Sequence, residues 1–353
     1  MRIFAANLKT PQFHIYTKYM RTLLTLVFFI FIKNVNAQSL VENFLKPADT
    51  LDKPRLFITS GVAAAGYTGI VYVLDQYWYA DYQRAPLHSF DDSHEWNQMD
   101  KAGHVFTTYL ETKWAHQIFK WTGVKDRSAL IAGAGIGVVF QTTLEILDGT
   151  SAQWGFSWSD VGANTAGGLL YVGQELAWKE ERISLKLSSH KRDRSLYDYT
   201  VRATNNPNVT TTLGLRSDEL YGKGENPFET LLKDYNTLTL WTSVNIWSFL
   251  PNREQSKFPR WLNIAVGYGA ENLYRGEVAY DWTDKQGNRF EIDPSALPRY
   301  RQFYIAPDID LTKIKTKSKA LKTLLFALNS FKFPLPAVEI NSRGAFIFHP
   351  IYF

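Results

Sequence analysis

Three short polar sets stand inside otherwise apolar segments and hold the residue types that acid–base or metal chemistry needs. The first is Asp100-Lys101-x-x-His104, whose outer members are four apart and so share one helix face. The second is Glu145 with Asp148, three apart at the end of a long apolar run. The third is Ser157-x-x-Asp160-x-x-x-Asn164-x-x-Gly167, in which Asp160 and Asn164 again share a face. A histidine among carboxylates is a nitrogen and oxygen donor set for a divalent metal, with His104, Glu145, Asp148 and Asp160 as candidate ligands. The same groups suit general acid–base catalysis, with His104, Glu145 and Asp160 as candidates, because neighbouring carboxylates push one another's proton affinities apart. A plainer alternative accompanies each set. Asp100 is a first-turn acid, favourable by up to ~1 kcal/mol; Ser157 with Asp160 approximates a capping box; and Lys101 neutralises Glu145 or Asp148, since buried charges must be paired. The residues alone leave both readings open.

Helices must position these sets. Small and apolar residues from Thr59 to Tyr82, then the segments Asp100–Trp121, Asp126–Leu147 and Ser159–Ile183, predict four helices joined by short loops, an antiparallel bundle. Connectivity then brings the start of the second helix, the end of the third and the start of the fourth to one pole. Small residues recur at four-residue spacing (Ala65 and Gly69, Ala129 to Gly137, Ala163 and Gly167), which permits close backbone approach, in membrane helices or in tight soluble packing. None of the helices supplies ~20 uninterrupted apolar residues. A basic, polar stretch over Lys186–Arg202 leads to alternating segments, Thr237–Phe249, Trp261–Ala270, Gln302–Leu311 and Ala345–Phe353, which predict antiparallel strands. An amphipathic helix is expected near Thr316–Asn329. The aromatic terminus, Phe353, resembles the last strand of outer-membrane barrels, whereas Pro307, Pro336 and Pro350 interrupt candidate strands. The expected fold class is α+β: a helical bundle over 55–183, then a strand-rich domain over 195–353, with barrel-like closure as an alternative to an open sheet.

The runs DKAGH, LEILDG and GFSWSDVGANTAGG resemble the YfiM-like family of predicted periplasmic proteins, a domain of unknown function. More distantly they resemble the VanZ-like membrane family, with its Asp-Lys-x-x-His, later Glu, and Ser-x-x-Asp-x-x-x-Asn-x-x-Gly. The resemblance covers about residues 60–183. Many members of the first family look like lipoproteins, but this chain has no cysteine to carry the lipid, so lipid anchoring does not follow. Neither family implies a settled reaction, so the resemblance assigns no catalytic role.

The 353 residues carry a net charge of +5, from 39 basic and 34 acidic residues. That excess lies in residues 1–37, which hold Arg2, Lys9, Lys18, Arg21 and Lys33 and no acid. The apolar run Leu23–Ile32 followed by Val35-Asn36-Ala37 reads as a signal peptide cleaved after Ala37, with Met20 a second possible start. A lead-in with little periodicity follows over 38–54. The mature chain would be neutral, which removes a nucleic-acid partner. Aromatic residues at 15% exceed what a soluble core requires and fit an interface.

The expectation is an exported protein of the periplasm or outer membrane, partnered by membrane or envelope components. Its role would be structural, or the binding of a ligand or lipid by the polar residues Asp100, Lys101, His104, Glu145, Asp148, Ser157, Asp160 and Asn164, with a divalent metal as the candidate cofactor. The alternatives are an enzyme on lipid or cell-wall substrates and an outer-membrane pore or transporter. No GxSxG, HExxH, Walker or dinucleotide motif stands in a suitable context. His116 and His349 read as packing or solvent-facing residues, and the lysines at 313–322 as the solvated face of a covering helix, with an amphipathic-helix signal for anionic headgroups as the alternative.

Overall fold

The computed structural model describes residues 35–79, 83–224, 230–231, 233–277 and 280–353. The expected leader therefore lies almost wholly outside the described residues. The chain divides into two compact units, Met1–Lys46 with Thr316–Thr323, and Pro47–Lys315 with Leu324–Phe353. In the first, helix α1 (Val35–Phe44) runs from the last three residues of the expected leader into the expected lead-in. Its Glu42 carboxylate accepts from Ser318 Oγ at 2.6 Å and from the backbone N–H of Lys319 at 2.7 Å.

In the second unit Asp52 caps α2 (Lys53–Leu74), accepting the Arg55 N–H at 3.0 Å, and Pro54 stands in its first turn. This cap starts the helix ahead of the expected Thr59. Three helices form the bundle: α3 (Met99–Trp121), α4 (Asp126–Gly149) and α5 (Trp158–Trp178). Glycines let them touch at backbone distance. A Cβ on Gly133 would stand 2.7 Å from the His116 nitrogen, and one on Gly167 would collide with the Val105 carbonyl. The expected fourth member, α2, buries no residue. It lacks the one-sided stripe that docks a helix, and its Gly69 faces open space. Tyr67 links it to α4 through Thr143, at 2.6 Å between hydroxyls.

The last bundle helix ends at Trp178 rather than Ile183, because Lys179 takes a left-handed conformation (φ 54°) and reverses the chain. Gln174 holds the reversal, accepting from the N–H groups of Arg182 (2.9 Å) and Ile183 (2.8 Å). Strand β1 (Ile183–Ser189) follows, then β2 (Thr200–Arg202), β3 (Thr210–Thr212), helix α6 (Leu213–Tyr221), β4 (Leu238–Asn245) and helix α7 (Ile246–Phe249). The remaining elements are β5 (Leu262–Glu271), β6 (Tyr280–Thr283), β7 (Arg289–Ile292), β8 (Tyr300–Ile309), helix α8 (Lys319–Leu328), β9 (Leu335–Asn341) and β10 (Phe346–Tyr352).

The protein is thus α+β. Six strands form one antiparallel sheet in the order β1-β4-β5-β8-β9-β10, with β2–β3 and β6–β7 as separate ribbons. The sheet does not close into a barrel: β1 and β10 are its edges, and β1 meets Phe331 in a single parallel bridge. Pro307, Pro336 and Pro350 lie within strands after all; Pro350 falls where the β9–β10 register shifts, a place that tolerates a missing donor. One sheet face is buried and polar. Lys186 Nζ stands 2.8 Å from Asp308 Oδ2, both fully buried, and Ser243 Oγ donates to the same carboxylate at 2.6 Å.

Candidate functional site

The pole begins with a strained turn. Trp96, Asn97 and Gln98 hold φ values of 50°, 50° and 60°, three successive left-handed residues without a glycine. At Trp96 and Gln98 this costs roughly 1–2 kcal/mol each, and less at Asn97, whose side chain tolerates the region. Their surroundings fix them: the Trp96 N–H donates to Gly276 O at 2.8 Å, Asn97 O accepts from Tyr268 and from Arg301 Nη1 (2.9 Å), and Gln98 Nε2 donates to Ser93 O at 2.9 Å. The Trp96 ring meets Tyr235 edge-on with centroids 5.5 Å apart, and Tyr235 donates to Asp100 Oδ1 at 2.8 Å. Backbone strain of this kind collects where function requires a fixed geometry. Here it sets the first turn of α3, which carries Asp100, Lys101 and His104.

Lys101 is the hub. Its ammonium lies 2.7 Å from Asp92, 2.8 Å from Asp160 and 3.0 Å from Asp100. The expected neutralisation of Glu145 or Asp148 by Lys101 is not what occurs; those two end α4 and find other donors. Glu145 Oε2 accepts the Ser157 N–H at 3.2 Å, and Asp148 Oδ1 accepts from Tyr79 at 2.8 Å. Ser157 caps α5 by accepting the Asp160 N–H at 3.1 Å, and its hydroxyl donates to Asp92 at 2.6 Å. Seven of the eight residues singled out in the sequence join this network, and Asp148 sits beside it on Tyr79. Asp92, Tyr79, Ser159 and Tyr235 were missed. Asp92 alone stands in a stretch with a sequence signal, the acidic residues Asp91, Asp92 and Glu95 just upstream of DKAGH.

His104 has the most informative geometry. Its Nδ1 bonds Asn164 Oδ1 at 3.1 Å, which makes Nδ1 the donor and, in the neutral ring, leaves the lone pair on Nε2. Nε2 stands 3.8 Å from Asp100 Oδ1 and 3.8 Å from Asp160 Oδ1, beyond hydrogen-bond range. These three atoms lie within 4.8 Å of one another, so a point roughly 2.2–2.5 Å from all three exists, the span of zinc to calcium ligation. Glu145 Oε1 is 3.9 Å from His104 Nδ1, buried and without a hydrogen bond.

Charge is unbalanced at the pole: Asp92, Asp100, Glu145, Asp148 and Asp160 face Lys101 and His104. Burial raises the proton affinity of Glu145 to about 8 and, with the Asp100 charge, that of Asp160 to about 7. Burial works against ionised Asp100, yet His104 and Lys101 outweigh it and hold its carboxyl below the usual range. For His104 the carboxylates of Asp100, Asp160 and Glu145 likewise outweigh burial and raise its proton affinity. The pole can therefore take up either protons or a cation.

A second set, His116, Asp126 and Glu175, stands at the other end of the bundle. His116 is fully buried, with Nδ1 at 2.9 Å from the Tyr171 hydroxyl, so it packs as expected. Asp126 is shared between Lys120 at 2.9 Å and Lys179 at 3.2 Å. His349 is partly buried on the sheet, 2.8 Å from Glu339.

Residues 89–172 match a family described as "Predicted periplasmic lipoprotein (DUF2279)". The match takes in the strained turn, α3, α4 and most of α5, and with them all eight residues of the polar sets. No curated protein and no solved structure matches the chain. The description accords with an exported, periplasmic protein and names no activity.

Proposed function

We propose that this is an exported envelope protein, its leader removed after Ala37, whose bundle pole binds a divalent cation through His104, Asp100 and Asp160. The observation that carries the reading is the His104 imidazole, tied at Nδ1 by Asn164 while its Nε2 faces two carboxylates that it does not hydrogen-bond. A cation there would offset the carboxylate excess and, since His104 and Lys101 keep some exposure, present free coordination positions to an anionic ligand. Glu145 would lie in the next shell as a proton acceptor, and Asp148 would act only through Tyr79. The order of the motifs supports kinship with the YfiM-like and, more distantly, the VanZ-like proteins. Metal analysis and thermal melts with Zn²⁺, Mn²⁺, Mg²⁺ and Ca²⁺ test the reading. The wild-type chain should bind and be stabilised, and His104→Ala and Asp160→Asn should not; absence of any metal response in the wild type would refute it.

A hydrolytic enzyme on lipid or cell-wall substrates is the second reading, favoured by the strained turn before Asp100 and by the buried, unbonded Glu145 Oε1. Under it Glu145→Gln would keep the cation and lose turnover. The open sheet lends no support to a pore within one chain.

A further inference from the structure

The six-stranded sheet is inside-out for a protein in water. Its buried face sets Lys186, Ser243, Asn263, Asp308 and Glu339 around a small core of Trp241, Tyr304 and Tyr352, while the opposite face is apolar in register across the strands. One cross-strand row runs Tyr268, Phe303, Ile340, Phe346, and the next Val266, Ile305, Val338, Phe348. Where this face continues onto β1 and β4 the bundle covers it, Leu187 and Leu240 packing with Met99 and Phe106. On β5, β8, β9 and β10 it is bare: Val266 is 54% exposed, Ile305 53%, Phe348 61% and Phe346 71%. No charged side chain falls in either row. An open sheet in water shows polar residues on its free face; polar-inside and apolar-outside alternation belongs to strands that face lipid.

Helix α2 decides between lipid and a protein partner. From Leu56 to Leu74 it has no charged residue, none of its residues is buried, and Phe57, Val62 and Ile70 are exposed on different sides of it. A docked protein covers one side of a helix, whereas hydrocarbon surrounds it. By length and composition α2 and α4 could each cross a membrane, but α4 is packed along α3 and α5 as a bundle helix.

We infer that the bare face of β5, β8, β9 and β10 and the surface of α2 lie in the hydrocarbon of a lipid bilayer. The inference uses none of the residues of the cation pole and stands or falls apart from it. The chain has no cysteine, so single-cysteine variants of the leader-free protein can be labelled with an environment-sensitive dye. With phosphatidylethanolamine–phosphatidylglycerol vesicles, the dye at Val266→Cys, Ile305→Cys and Phe348→Cys should shift to the blue and be quenched by a doxyl lipid. At Lys285→Cys, in the exposed β6–β7 turn, it should stay open to iodide. Equal iodide quenching at all four positions would overturn the inference. So would protection that rises with protein concentration without vesicles, the sign of a second copy on this face. The double variant Val266→Lys, Ile305→Lys should lose vesicle flotation by about tenfold or more while keeping its circular dichroism; undiminished flotation would also overturn it.

Discussion

The Nε2 of His104 and the Oδ1 of Asp160 stand 3.8 Å apart, on residues 56 positions distant in sequence whose helices are pressed together at Gly167. The gap is too long for a hydrogen bond and suited to a shared cation. A ligand that binds only the folded state stabilises it by about 2.7 kcal/mol at a concentration 100 times its Kd. The melting temperature should therefore rise with the concentration of a preferred divalent metal. Titration followed by calorimetry should show the rise in the wild type and a flat response in Asp160→Asn.

Protons compete for the same place. Glu145 and Asp160 have proton affinities raised from 4.5 to about 8 and from 3.8 to about 7. A raised folded-state value means that the folded protein holds the proton more tightly than the unfolded chain. The stabilisation is then complete below about pH 4 and is lost as pH rises toward 8. His104, also raised, acts in the same direction. Metal-free protein should thus lose stability to urea across that interval, while metal affinity grows as the carboxylates ionise. Glu145→Gln should flatten the urea profile; an unchanged slope would contradict the assignment.

Removing the ammonium of Lys101 leaves Asp92, Asp100 and Asp160 facing one another without their common partner. Breaking a buried ion pair on one side costs about 3–5 kcal/mol. Lys101→Gln should fall in that range by urea denaturation at neutral pH, and acid should recover part of the loss by protonating the carboxylates. Asp92→Asn should cost less, because Asp100 and Asp160 still hold the lysine.

The three motif helices were legible because each begins or ends on a polar signal that also has a structural duty, as Ser157 does in capping α5. The convergence of Asp100, Glu145 and Asp160 followed from connectivity. Other parts were hidden by the same physics that makes the sheet unusual. Strand β1 read as a polar stretch because Lys186 points into a buried polar face, paired with Asp308. Strand β9 was masked by Pro336. Helix α2 was counted into the bundle because uniform apolarity looks like core material until its burial is known. Asp92 sits on a loop with no periodicity and reaches the pole only through the folded turn at 95–98.

The turn at Asn97 separates strain from chemistry. Asn is among the few residues other than glycine that tolerate the left-handed region, and φ here is 50°. Asn97→Gly should therefore leave stability nearly unchanged, while Asn97→Val should cost about 1–2 kcal/mol through the clash of a branched Cβ. If the strain exists to place Asp100, the valine variant should also weaken the metal response in proportion. Calorimetry with and without metal on the two variants would read both effects.

Close approach at Gly167 supplies the last test. An alanine there would drive its Cβ into the Val105 carbonyl, wedging α5 from α3 beside Asn164 and Asp160. Overpacking of this kind costs about 1–3 kcal/mol, but its particular effect would be to lengthen the reach from His104 to Asp160. Gly162 lies one turn away on the same helix with nothing within 4 Å of its would-be Cβ. Gly162→Ala should leave stability and metal response as they are, or raise stability slightly through helix propensity. Gly167→Ala should lose stability and lose the metal response more than its stability loss explains, measured by titration well below the melting temperature. Equal behaviour of the two variants would mean that the distance between the two helices does not govern the pole.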